Sequence, residues 1–226
     1  MLSKKELFDK AADYDFDAIK EYLESGGDIE VYDGGGNSLL SALLEAYYRH
    51  VYSSDPGEAK FLEEHDDDEE YHNHVNKYSK IPLEDRPHSI KEQVDYLMGK
   101  GITPNAVGWK EAEEDQEWAP CVETPLFHSV VNCDYCMTEY LLKNGADPGQ
   151  KLFTDGSYDE DGYEDWLLEH LDIYIFNGDR GDAGTNDLEI AALLMHYGLD
   201  QWPGGMCIDV DKENRTICGH SPRMMY

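Results

Sequence analysis

Cys133 and Cys136 form a Cys-x-x-Cys pair in "NCDYCMTEYLLKNGADP" (132–148), just ahead of an apolar helical run. That spacing carries dithiol redox chemistry when the pair opens a helix after a strand, in a βαβ setting. It holds structural zinc when two more ligands arrive from elsewhere. No second pair is spaced to complete a zinc site, so the two cysteines read as a turn and the start of the following helix. A second chemical candidate is "EEHDDDEEYHNH" (63–74), in which seven of the eight residues from Glu63 to Glu70 are carboxylates. Asp66, Asp67, Asp68, His72 and His74 there offer oxygen and imidazole to a divalent cation. Histidines two apart share no helix face, however, which weakens the set. As a charge block the run is a solvated segment or a contact for a basic partner. In "SYDEDG" (157–162), Asp159, Asp161 and Gly162 take the third, fifth and sixth places of a calcium loop. Ser157 would then stand first and Leu168 twelfth, where a bidentate glutamate is required. That excludes an EF-hand and leaves only an irregular calcium site open.

The tail "MCIDVDKENRTICGH" (206–220) alternates apolar and polar residues around Asp211–Asn214, the pattern of a short β-hairpin. Pairing Val210 with Arg215 sets Cys207 opposite Cys218. A disulfide, a Cys–Cys–His220 metal corner and a reduced pair closing the end of the molecule are the three readings. The glycine-rich "DGGGNS" (33–38) lacks the lysine of a phosphate-cradling loop. Neither a Gly-x-Ser-x-Gly elbow nor a His-Glu-x-x-His helix occurs. The chain therefore reads as a non-enzymatic protein with no cofactor and no resident metal.

The elements beneath these residues carry an unusual charge. Forty-nine acidic residues against eighteen basic ones give a formal net charge of −31 over 226 residues. Such a field repels phosphate backbones, which argues against direct nucleic-acid binding. It favours a basic protein partner, or serves solubility alone. The 40% hydrophobic and 12% aromatic content is that of a folded chain. The amino-terminal "MLSKKELFDKAADYDF" turns acidic at once, unlike a secretory signal. No apolar run approaches the length of a membrane-spanning helix. Five cysteines, an odd number, point to a reducing compartment, and cytoplasmic is the expected location.

A repeat organises the chain. "IKEYLESGGDI" (19–29), "VDYLMGKGITP" (94–104), "TEYLLKNGADP" (138–148) and "AALLMHYGLDQ" (191–201) align on Gly27, Gly101, Gly145 and Gly198. Leu23, Leu97, Leu141 and Leu194 stand four residues earlier. Each segment predicts a short amphipathic helix stopped by glycine, which takes the left-handed conformation without a Cβ penalty. Upstream, "ELFDKAA" (6–12), "GNSLLSALLEAYY" (36–48), "ETPLFHSVV" (123–131) and "YEDWLLEHLDIYIF" (163–176) predict the preceding helices. Thr124-Pro125 suits a helix start, where proline lacks only an N–H that would go unpaired.

Thr124-Pro125-Leu126-Phe127-His128, followed by Leu141-Leu142-Lys143-Asn144-Gly145-Ala146-Asp147-Pro148, resembles an ankyrin repeat. The correspondence is strong in this unit and looser in the others, covering about three quarters of the chain. The resemblance implies an all-α solenoid of about four helix–turn–helix units: 4–35, 36–106 with an insertion at 49–87, 122–151 and 161–202. A cap at 203–226 ends it. It also places His128 near the pattern's histidine, which bonds neighbouring turns, so His128 with Cys136 reads as structure and not as a base and nucleophile. Within 49–87, Asp55 and Pro56 suit a further helix start, and Ser89-x-x-Glu92 reads as a capping box. Further insertions fall at 107–121, 152–162 and 177–187.

The resemblance implies that turns between units border the concave binding face. That makes Tyr32, Asp33, Trp109, Glu113, Glu114, Asp115, Trp118, Phe153, Asp155, Tyr158, Asp159, Glu160, Asp161 and Tyr163 the candidate partner-binding residues. Rings anchor protein interfaces while charge sets on-rate and partner choice. The alternative is that Trp109, Trp118, Phe153 and Tyr163 pack the insertions against the array. The expected function is a monomeric acidic scaffold engaging a basic protein, in its sharpest form an immunity-type inhibitor of a nuclease-like toxin. An adaptor for an unrelated host protein, and a divalent-metal enzyme built on the acidic insertions, are the alternatives.

Overall fold

The computed structural model describes residues 2–53, 79–108, 123–149, 185–198, 207–211 and 216–220. Helices dominate them: α1 (Lys4–Ala12), α2 (Phe16–Glu24), α3 (Leu39–Ser53), α4 (Ile90–Gly99), α5 (Pro125–Val131), α6 (Tyr135–Lys143) and α7 (Thr185–His196). Local chemistry fixes their ends. Ser3 accepts from Glu6 N while Glu6 reaches back to Ser3 N, a reciprocal cap on α1. Thr124 caps α5 through Phe127 N at 3.1 Å, with Pro125 at the first helical position.

The second helices share one geometry. Gly26, Gly101, Gly145 and Gly198 all take positive φ after the last turn, between 90° and 113°. Gly27 N, Ile102 N and Ala146 N then close the motif onto Tyr22 O, Leu97 O and Leu141 O. The left-handed residue of the first unit is thus Gly26, one earlier than the sequence alignment on Gly27. Gly27 serves another purpose. The Tyr22 ring lies where its Cβ would be, 2.4 Å away, and Tyr22 Oη accepts from Asp28 N at 3.2 Å. Twelve residues before Gly26, Gly101 and Gly145, the residues Tyr14, Ser89 and Cys133 are also left-handed, at φ 57°, 51° and 49°. Two of those turns lead into an aspartate cap, Asp15 on α2 and Asp134 on α6. The expected Ser89–Glu92 capping box does not form. A serine at φ 51° cannot turn its hydroxyl onto the helix it precedes, and no side-chain cap bond is made there.

α1, α3 and α5 touch in succession, as do α6 and α7. The Phe16 ring of α2 meets Tyr96 of α4 edge-on at 5.7 Å, and Tyr140 of α6 hydrogen-bonds Asp95 of α4. Leu7, Ile19, Leu43, Val94, Leu126, Leu141 and Ile190 are fully or almost fully buried in one continuous core.

α3 runs five residues past its expected end at Tyr48, into the stretch assigned to the 49–87 insertion. Tyr47 and Tyr48 are buried, and Arg49 pairs with Glu45 one turn back, so nothing stops the helix there. The end of the same stretch also belongs to the packed structure, since Ser79, Leu83 and Arg86 are buried. Its expected helix near Asp55, and those at 163–176, lie outside the described residues.

Strands β1 (Cys207–Asp211) and β2 (Thr216–His220) pair antiparallel, with Val210 opposite Ile217. That register is two residues from the Val210–Arg215 pairing of the sequence reading. It sets Cys207 against His220 and Cys218 against Asp209. Cys207 and Cys218 are therefore not the facing pair a cross-strand disulfide would use. Among the described residues no helix is long and apolar enough to cross a membrane.

Candidate functional site

The connections that follow the second helices are tied to each other. Tyr32 bridges Ser38, Asn37 bridges Val107, and Gly108 N donates to Gly36 O at 2.7 Å. Further along, Asn105 Nδ2 donates to Gly145 O and its Oδ1 accepts from Asp147 N, both at 2.8 Å. Asn37 Oδ1 accepts from Glu123 N at 2.8 Å, joining the first connection to the start of α5.

The two expected partner-binding residues that are described sit in the first of these connections, and both have internal work. Asp33 Oδ1 accepts from Gly35 N and Asn37 N at 2.7 and 2.8 Å, and Oδ2 accepts from Asn37 Nδ2 at 3.1 Å. It shapes its own turn, a standard use of aspartate before glycine. Tyr32 lays its ring over Gly108, where an added Cβ would come within 2.4 Å of the ring. Gly108→Ala should therefore force the ring outward. A loss of about 1–3 kcal/mol, the usual cost of overpacking, is expected in urea unfolding. The other twelve candidates, Trp109 to Tyr163, lie outside the described residues, as do the 63–74 run and the 157–162 loop.

Carboxylates gather around Glu123. Glu123 is pushed up from the ordinary glutamate range by its own burial, with Glu45 and Asp33 adding repulsion. Its Oε2 lies 3.3 Å from His128 Nε2. Burial lowers the His128 imidazole to about 4, so it is neutral near pH 7. Neutral and enclosed, it has a structural place. Among the described residues no group of His, Cys, Asp or Glu is arranged to hold a metal ion.

The Cys-x-x-Cys pair frames a different feature. Asp134, between the cysteines, stands at the start of α6 at φ −88° and ψ 90°. Cys133 and Cys136 are both half-buried, and no disulfide joins them. Burial raises the Cys136 thiol above its ordinary value, with nearby Arg86 opposing. The residue that matters is Asp134 itself. Its Oδ1 caps α6 through Met137 N at 3.0 Å, and its Oδ2 accepts from Tyr48 Oη of α3 at 3.0 Å. Arg86 grips both oxygens, the Nη2–Oδ1 bond being 2.8 Å. The Arg86 and Asp134 side chains are 0% and 3% exposed, and Arg86 also donates to Ile81 O and Ser79 O. Ser79 completes the junction by donating to Cys133 O at 2.6 Å and accepting from Tyr135 N at 2.9 Å. Sequence reasoning missed this network. Its one signal was Asp134 at a helix-cap position equivalent to Asp15, which instead is half-exposed and pairs with Lys10.

Cations elsewhere are likewise engaged. Of ten lysines and arginines among the described residues, eight pair with carboxylates. Lys100 lies over the Tyr96 ring, 5.1 Å from its centre. Against those ten stand twenty-three aspartates and glutamates, so carboxylates remain in excess after internal pairing. The residues outside the described set concentrate the charge further, with twenty-six acidic against eight basic.

No family model matches the chain. No curated protein is significantly similar to it either.

Proposed function

We propose that the chain is an ankyrin-like array of helix pairs that binds a basic protein, without catalysis. The observation carrying this reading is the charge balance. Among the described residues most basic side chains are spent on internal pairs, and the excess carboxylates are densest in the segments interrupting the repeat. A cationic partner meets uncompensated charge, which raises its association rate and rejects acidic competitors. The left-handed residues that recur twelve positions before three of the stop glycines, with the same closing hydrogen bond after them, support the repeat reading. Arrays of this kind act as rigid scaffolds whose binding residues sit in their connections.

In its sharp form the partner is a nuclease-like toxin whose phosphate-binding cleft the carboxylates occupy, in a cytoplasmic inhibitor that is monomeric when unbound. The fold alone does not imply that role. Affinity capture from the native source tests it. A single dominant basic protein is expected, and its nuclease activity should fall on addition of this chain. Recovery of only neutral or acidic proteins would contradict the reading.

A further inference from the structure

Between the α1–α2 turn and the start of α4 lies a cavity of about 250 Å³, lined by Tyr14, Asp15, Phe16, Asp17, His88 and Gln93. None of these residues was singled out by sequence as a partner contact. Three of the six are aromatic rings, and His88 meets the Tyr14 ring edge-on at 5.6 Å. Gln93 Nε2 donates to His88 O at 2.8 Å, which turns its amide so that Oε1 is left as acceptor. Gln93 Oε1 and Tyr14 Oη are both buried, and the two side chains interact with each other while neither atom has another partner. Each oxygen keeps acceptor capacity for a donor from a bound group. Asp15 and Asp17 add carboxylates at the first turn of α2. Asp15 is committed to Ala18 N and Lys10, whereas Asp17 is exposed beside the opening.

We propose that this cavity receives the guanidinium of an arginine side chain from the partner. The inference rests on the basic-partner reading and gives it a contact point. The site combines acceptors, carboxylates and ring faces. A guanidinium carries five donors and no acceptor, stays charged, and stacks on aromatic faces through its flat surface. An anion would face two carboxylates. A neutral apolar group would use none of this acceptor capacity. An ammonium fits the charge but not the flat walls, so arginine is preferred over lysine.

The test uses the full chain, ¹⁵N-labelled, titrated with the peptide acetyl-Gly-Arg-Gly-amide. The citrulline peptide, which has the same shape without the charge, and the lysine peptide are titrated in parallel. Saturable shifts confined to amides near Tyr14, Asp17 and Gln93 are expected, with a Kd of roughly 1 mM for so small a ligand. Citrulline should bind several-fold more weakly, and so should lysine. Asp17→Asn, at an exposed position, should weaken the arginine peptide several-fold with the rest of the spectrum unchanged. Absent or unsaturable shifts, shifts scattered over the acidic surface, or equal responses to arginine and citrulline would overturn the proposal. Such a failure leaves the basic-partner reading to partner capture, whose outcome does not depend on this cavity.

Discussion

Arg86→Met should cost about 3–5 kcal/mol in urea unfolding, the largest loss expected from any single change in this protein. The methionine fills much of the arginine's space, so the loss is electrostatic and not a cavity effect. What remains is a carboxylate enclosed between α3, α6 and the 79–86 segment with no counter-charge, and uncompensated buried charges are the costly case. The pair need not be strongly stabilising for this to hold, because bringing both charges out of water offsets much of their attraction. The distinguishing variant is Arg86→Met with Asp134→Asn. Asparagine keeps an oxygen for Met137 N or for Tyr48 Oη while removing the stranded charge. The double variant should therefore be more stable than Arg86→Met alone. A double variant less stable than the single would show that packing, not charge, dominates at this junction.

Acid should weaken the fold in a window set by His128. Its folded value of about 4 lies below the ordinary value of 6.5, because burial disfavours the imidazolium. Above pH 6.5 the ring is neutral in both folded and unfolded chains, and its contribution is complete. As pH falls, the unfolded chain takes the proton first, and stability drops until the folded ring also protonates near 4. The full span corresponds to about 3 kcal/mol, of which about 2 should be lost between pH 7.5 and 5. Glu123 acts in the opposite sense, since its raised value favours proton uptake by the folded state as pH falls. Asp15 and Asp95, whose values are lowered, add their losses below the ordinary carboxylate value of 3.8. Urea unfolding at pH 7.5 and 5 should show the drop in the native chain and a clearly smaller one in His128→Gln. The difference between pH values is the readout, so a general destabilisation by the substitution does not obscure it. Equal slopes would remove His128 as the cause.

Local punctuation made the helices legible. Thr124-Pro125 and the stop glycines act within a few residues, so spacing alone located them. The doublet Gly26-Gly27 misled by one position, because one glycine supplies the left-handed turn and the other admits the Tyr22 ring. Periodicity could not separate those two uses. The end of α3 was missed because the apolar pattern of 36–48 was closed at a tyrosine pair that the structure buries. Arg86 and Asp134 are 48 residues apart, and no local pattern joins an arginine in an acidic segment to an aspartate between two cysteines. Asp33 and Tyr32 were expected as partner contacts from the placement that the resemblance implies. Their bonds to Asn37 and their packing on Gly108 arise only when the connections are brought side by side.

The most direct test of the central claim is the affinity for the captured partner measured across a salt series. At 0.1 M salt, charges are screened over about 10 Å, and at 1 M over about 3 Å. If excess carboxylates drive recognition, Kd should rise steeply over that range, with most of the change in association rate. A Kd that stays constant, or that tightens with salt as an apolar contact would, contradicts an acidic scaffold for a basic partner.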